Sequence, residues 1–81
     1  MHPVKKQLIK RYGKYCMICG QYVRKGITYH HIKPKSLGGE YTISNGSLLC
    51  DCCHRHLHTY QYGTKEYQKL TRIIKNYKKY H

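Results

Sequence analysis

The sequence predicts a small α+β domain stapled by a four-cysteine zinc, with basic helices on either side of a short strand-and-helix core. Three observations predict it. Cys-x-x-Cys occurs twice, at Cys16/Cys19 and at Cys50/Cys53, and two such knuckles can bring four thiolates around one tetrahedral zinc. Apolar material is sparse, with no Trp and no Phe in 81 residues, and chains of that size bury little apolar surface and usually need a staple such as a metal or disulfides. The pattern also changes along the chain: helical spacing near both ends, and short β-branched or aromatic runs between them.

Each element follows in order. Residues 2–12 read as a basic helix, with Pro3 in the first turn, Val4, Leu8 and Ile9 on one stripe, and Gly13 as the stop. Lys5, Lys6, Lys10 and Arg11 then face solvent or a polyanion. The knuckle Cys-Met-Ile-Cys-Gly follows, and residues 21–27 form a basic connection broken at Gly26. Residues 27–32 read as a strand ended by Pro34, 36–40 as a loop around Gly38 and Gly39, and 47–49 as a second extended segment. A helix starts at Asp51 or Cys52 and runs to near Gly63. Thr64 caps a last helix to about Tyr80, whose Tyr67, Leu70, Ile74 and Tyr77 make a packing stripe. Residues 1–81 form one domain on this reading, and the ten tyrosines substitute for a missing core before they serve as stacking groups.

Charge narrows the function classes. There are 16 Lys plus Arg against 3 Asp plus Glu, a formal +13. That excess calls for a polyanionic partner, and nucleic acid suits a domain this small better than an anionic membrane. Five cysteines is an odd number, no apolar leader opens the chain, and no run has the length of a membrane span. A reducing, intracellular setting with thiolate-bound zinc is expected. Cys52 lies between the ligands as a bystander, or replaces Cys50 or Cys53 if the register shifts.

A second constellation comprises His30, His31, Asn45, His54 and His58. Adjacent histidines on a strand point to opposite faces, so His30 and His31 divide into one ligand and one free base. His54 and His58, one helical turn apart, can share a metal with a strand histidine. An imidazole titrates at about 6.5 when unperturbed, which is well placed for taking a proton from water. His2, His56 and His81 are left facing solvent, with His56 nearest to DNA.

The span His-His-Ile-Lys-Pro-Lys-Ser-Leu-Gly-Gly, followed by Asn-Gly-Ser-Leu-Leu-Cys-Asp-Cys-Cys-His, resembles the HNH endonuclease family over Cys16 to His58. The resemblance is to the form that carries a zinc ribbon. It implies a ββα-metal (His-Me finger) core and metal-dependent hydrolysis of DNA phosphodiesters. Carried over by position, His31 is the general base, and His30, where the family often has Asp, joins His54 and His58 as metal ligands. That set is similar to the three-histidine site of colicin-type nucleases. Asn45 steadies the loop or His31, and Gly46 replaces an apolar residue common after the Asn. The catalytic ion expected is Mg2+, Mn2+, Ni2+ or Zn2+, beside the structural zinc. Lys33, Lys35 and Arg55 are placed to hold phosphates.

The expected partner is DNA, bound with weak sequence preference by a monomer and without a membrane. Family members that stand alone are frequent in phages and bacteria, so a phage-encoded enzyme acting in its host is one setting the resemblance implies. The rival classes are a zinc-ribbon DNA-binding module that does not cut, and an RNA- or protein-binding zinc module.

Overall fold

A computed structural model describes residues 2–80; His81, expected at the surface, lies outside them. The helix α1 spans Pro3–Tyr12, the strands β1 and β2 span Thr28–His31 and Gly46–Leu49, and the helices α2 and α3 span Asp51–His58 and Lys65–Tyr80. The strands pair antiparallel, with Thr28 opposite Leu49, Tyr29 opposite Leu48, His30 opposite Ser47 and His31 opposite Gly46. Helix α2 follows β2 directly and packs on both strands, while α1 packs on β2. Strands, then helix, give the ββα unit the sequence predicts. No described helix is long and apolar enough to cross a membrane.

The termini of α1 have local causes. His2 Nδ1 accepts from the Val4 N–H at 3.1 Å and Pro3 stands at the first helical position. Gly13 ends the helix with φ 79° and its N–H on the Ile9 carbonyl at 2.8 Å. His2 is therefore a cap; it is exposed, as the sequence suggests, and its ring stacks on Tyr41 at 3.6 Å.

Four elements differ from the sequence reading. The first strand is shorter than 27–32: Ile32 N–H still bonds the carbonyl of Asn45, its partner in register, at 2.8 Å, but Asn45 N–H turns to Thr42 Oγ1 at 3.2 Å and the pairing stops there. The segment read as connection at 21–27 begins as the second arm of the knuckle: Tyr22 bridges Tyr15, and Cys16 N–H bonds the Gln21 carbonyl at 2.9 Å. The loop read at 36–40 opens with a single 3-10 turn, Lys35–Leu37, closed by Gly38 at φ 86°. Helix α2 stops at His58 rather than near Gly63, since Thr59 turns both its N–H and its hydroxyl onto the His56 carbonyl. The chain then takes a turn at residues 61–64 before Thr64 Oγ1 accepts from Tyr67 N–H at 3.3 Å and starts α3.

Leu8, Met17, Ile27, Ile32, Leu48, Leu49, Leu57, Tyr67 and Ile74 form the core, with Cys16 and Cys50 on its margin. The tyrosines contribute less than their number suggests: Tyr67 alone among those described is buried, while Tyr12, Tyr29, Tyr60 and Tyr77 pack against the core. Every residue of β2 is buried. Gly46 belongs there for a steric reason, because a Cβ at that position would lie 2.6 Å from the Tyr29 ring and 2.8 Å from Leu8 Cδ1. The space filled by an apolar side chain in the family pattern is thus taken by Tyr29 and Leu8.

Candidate metal centres

The first centre sits where the knuckle meets the start of α2. Met17 N–H donates to the Leu48 carbonyl at 2.9 Å, docking the knuckle on β2. That places Cys16 and Cys19 opposite Cys50 and Cys53, with all four sulfurs within 4.8 Å of one another. Backbone N–H groups aim at these sulfurs: Ile18 and Cys19 at Cys16 Sγ (3.4 and 3.5 Å), and Cys53 at Cys50 Sγ (3.4 Å). Burial raises the Cys16 thiol, but backbone donors from Cys19, Cys50 and Ile18 outweigh it and bring its pKa to about 7. Burial and the neighbouring thiols push Cys53 well above the usual thiol range. Four sulfurs crowded this closely repel one another as thiolates unless a cation sits among them, and tetrahedral zinc fits that donor set. Cys52, on the same helix, is exposed and stands outside the group.

The second centre lies at the other side of the β1–α2 contact. His30 from β1 and His54 and His58 from α2 bring their ring nitrogens within 4.8 Å of one another. Ring centroids are 5.5 Å apart for His30–His54, 5.8 Å for His30–His58 and 4.6 Å for His54–His58. The i, i+4 pair points one way because 3.6 residues make a turn. His30 is 5% exposed. Burial, then the nearby His54 and His58, lower its pKa to about 3. Burial and His58 also lower His54, against the pull of Asp51. Neutral imidazole is the form that ligates, and three such nitrogens suit a zinc, nickel or manganese ion.

His31 takes the opposite face of β1. Its ring stands perpendicular to Tyr29 and Tyr41, at 4.9 and 4.8 Å, and those two tyrosines are themselves stacked at 4.3 Å. Burial, then Lys35 and His2, lower its pKa. Its Nε2 is buried and has no hydrogen-bond partner among the described residues. Both strand histidines nonetheless reach one cavity of about 410 Å³, lined also by His54, His58, Lys35 and the tyrosines 29, 60, 62 and 67.

Asn45 touches neither ring. It staples the ends of the loop between the strands: Oδ1 accepts from Lys33 N–H at 2.8 Å, and Nδ2 donates to the carbonyls of Lys33 (3.1 Å) and Glu40 (2.8 Å). Of the three basic residues expected near phosphate, Lys35 lines the cavity. Lys33 is exposed outside it, and Arg55 is exposed and paired with Asp51 at 3.3 Å.

Comparison with known proteins bears on this arrangement. The profile of the HNH endonuclease family matches residues 16–59, just over half the chain. The chain belongs to the HNH endonuclease family. Both knuckles, both strands, the loop with Asn45 and all of α2 fall inside the matched span, so the ββα core carries the family likeness. The chain is also similar to the type IV methyl-directed restriction enzyme EcoKMcrA of Escherichia coli (strain K12), at 37% identity over 70 residues, covering 78% of this chain. It spans a quarter of that enzyme's length (25%).

Two side chains of α3, beyond the matched span, hydrogen-bond to the HNH core. Tyr67 Oη lies 3.2 Å from His30 Nε2. Lys78 Nζ donates to the carbonyls of Ile43 (2.5 Å), Gly46 (2.6 Å) and Ser44 (3.2 Å). The sequence shows Tyr67 only as one member of an apolar stripe and Lys78 only as one of many lysines. A tyrosine on a buried face is the one legible hint, since its hydroxyl must find a partner there.

Proposed function

We propose that this chain is a metal-dependent DNA endonuclease, with residues 1–81 acting as one nuclease domain. The observation that carries the reading is the placement of His31 beside, and outside, the three-histidine cluster, with both opening on one cavity. A ligand set and a free base sharing a cavity is the arrangement that hydrolysis of a phosphodiester requires. The family and the named relative support DNA as substrate. Because the match covers only a quarter of that restriction enzyme, DNA cleavage is carried over and methyl direction is not.

His30, His54 and His58 would hold the catalytic ion, and Cys16, Cys19, Cys50 and Cys53 the structural zinc. The bound ion supplies Lewis-acid stabilisation of the charge that develops on the phosphate and the leaving oxygen. Burial, then Lys35 and His2, hold the His31 pKa below that of a free imidazole, which favours the neutral form that takes a proton. A water oxygen bonds to phosphorus as its proton passes to His31, and the P–O3′ bond breaks, the leaving oxygen taking a proton from solvent. Lys35 at the cavity edge faces the phosphate, with Lys33 and Arg55 contacting the backbone further out. Asn45 keeps the loop closed so that Lys35 stays at that edge. DNA is gripped through phosphates with weak sequence preference by a monomer, in the reducing interior of a cell where thiolates persist.

Turnover and metal titration of two folded variants test this side by side. His31→Ala should lower DNA cleavage by at least about 10²-fold, the lower end of what a general base contributes, and leave metal affinity unchanged. His54→Ala should lose cleavage and the second metal together. Wild-type cleavage by His31→Ala would overturn the assignment of the base. A wild type that binds DNA without cutting it in Mg2+, Mn2+ or Ni2+ would leave a binding module instead.

A further inference from the structure

The hydroxyl of Tyr67 is buried between two groups: Ile32 carbonyl oxygen at 3.1 Å and His30 Nε2 at 3.2 Å. A tyrosine hydroxyl has one proton to give, and a carbonyl can only accept. The proton therefore lies on the Ile32 contact, and the hydroxyl oxygen accepts from His30. Nε2 of His30 then carries the ring's single hydrogen, and the lone pair sits on Nδ1. Nδ1 of His30 has no hydrogen bond among the described residues and is then the nitrogen left for the cluster with His54 and His58.

We propose that Tyr67 is a positioning residue for the three-histidine site: it selects the Nε2–H tautomer of His30, fixes the ring's rotation, and leaves Nδ1 as the metal ligand. The inference rests on reading His30, His54 and His58 as that metal's ligands. The same hydroxyl holds the end of β1, since Ile32 N–H is bonded in turn to the Asn45 carbonyl at 2.8 Å. Ring, strand end and stapled loop are thus referred to one atom. Tyr67 itself is buried in the core, in the first turn of α3, where Thr64 Oγ1 takes its N–H. Partners of this kind, which orient a ligating histidine through its other nitrogen, typically change metal affinity by about 10–100-fold when removed.

The test is Tyr67→Phe, which keeps the ring in the core and deletes one oxygen. Cobalt(II) is titrated into wild type and variant that each carry one equivalent of zinc, held by the four cysteines, and is followed by calorimetry and by the visible d–d bands of the histidine-bound ion. The expected result is cobalt affinity about 10–100-fold weaker in Tyr67→Phe, with shifted bands and a circular dichroism spectrum that matches the wild type. Equal or tighter cobalt binding by the variant overturns the proposal, as tighter binding would mean that the hydroxyl competes for the ligating nitrogen. A long-range 1H–15N spectrum of the zinc-loaded wild type, without cobalt, decides the tautomer directly and does not depend on the variant folding. Nε2–H at His30 supports the proposal and Nδ1–H overturns it. A wild type that takes up no cobalt beyond its zinc removes the three-histidine site and this inference with it. That result is distinct from a wild type that binds and a variant that binds equally well.

Discussion

At the scale of single residues, two neighbours of the same type are given different environments by the alternation of a strand. His30 is enclosed by imidazoles and Tyr67, whereas His31 lies against Tyr29 and Tyr41. The sequence makes that division legible, because period two leaves no other arrangement for adjacent residues in a regular strand. It does not reveal that the Asn45 side chain's three hydrogen bonds all go to Lys33 and Glu40, since an amide at that position can reach either target. Asn45→Ala removes three side-chain hydrogen bonds, at roughly 1 kcal/mol each. The variant should unfold about 2–3 kcal/mol more easily in urea. The amide of Lys33 should also exchange with solvent much faster than in the wild type. Unchanged exchange at Lys33 would show that the loop holds without its staple.

Elements were legible where local chemistry sets them and illegible where partners do. Proline at the start and glycine at the stop of α1, and the threonine before α3, act within a few residues, and those boundaries agree with the pattern. The end of α2 depends on Thr59 folding back onto the His56 carbonyl, which competes with a continued helix on nearly equal terms. The knuckle arm at Tyr22 exists because its backbone pairs across the Cys16–Cys19 turn, and composition cannot show that. The knuckles also predict how the chain fails. Structural zinc contributes apparent binding energy of about 10–16 kcal/mol in small modules, comparable to or above a domain's net stability of about 5–15 kcal/mol. Stripping the zinc with a chelator, or replacing Cys19 by Ser, should therefore abolish the helical circular dichroism signal. A zinc-free chain that keeps it would mean that the apolar core stands alone.

At the scale of the whole molecule, charge was fully legible and its targets were not. The formal +13 is spread over α1, the knuckle arm, the loop and α3, with an ion pair only between Arg55 and Asp51 among the described residues. A dispersed cationic surface grips phosphates wherever they lie, so affinity should come from released counterions. With about six phosphates engaged, log affinity against log salt should fall with a slope of roughly −5 on duplex DNA. A slope near zero, or a strong preference for one short site in competition assays, would point to base reading instead. Which lysines face the duplex follows only from how α3 folds back on the core, and no local pattern in its sequence announces that return.

The return of α3 also orders events in time. Lys78 reaches back 35 residues to the Ile43 carbonyl, and Tyr67 reaches back 37 to His30. Ribosomes release a chain from its N-terminus at about 5–20 residues per second. During synthesis the knuckles, strands and histidines therefore precede the helix that clamps them. A nascent chain halted before Tyr67 holds every residue of the family pattern, yet its loop carbonyls have no ammonium to gather them and His30 has no hydroxyl beside it. Completion of the site then waits on translation of α3, a delay built into the order of the sequence.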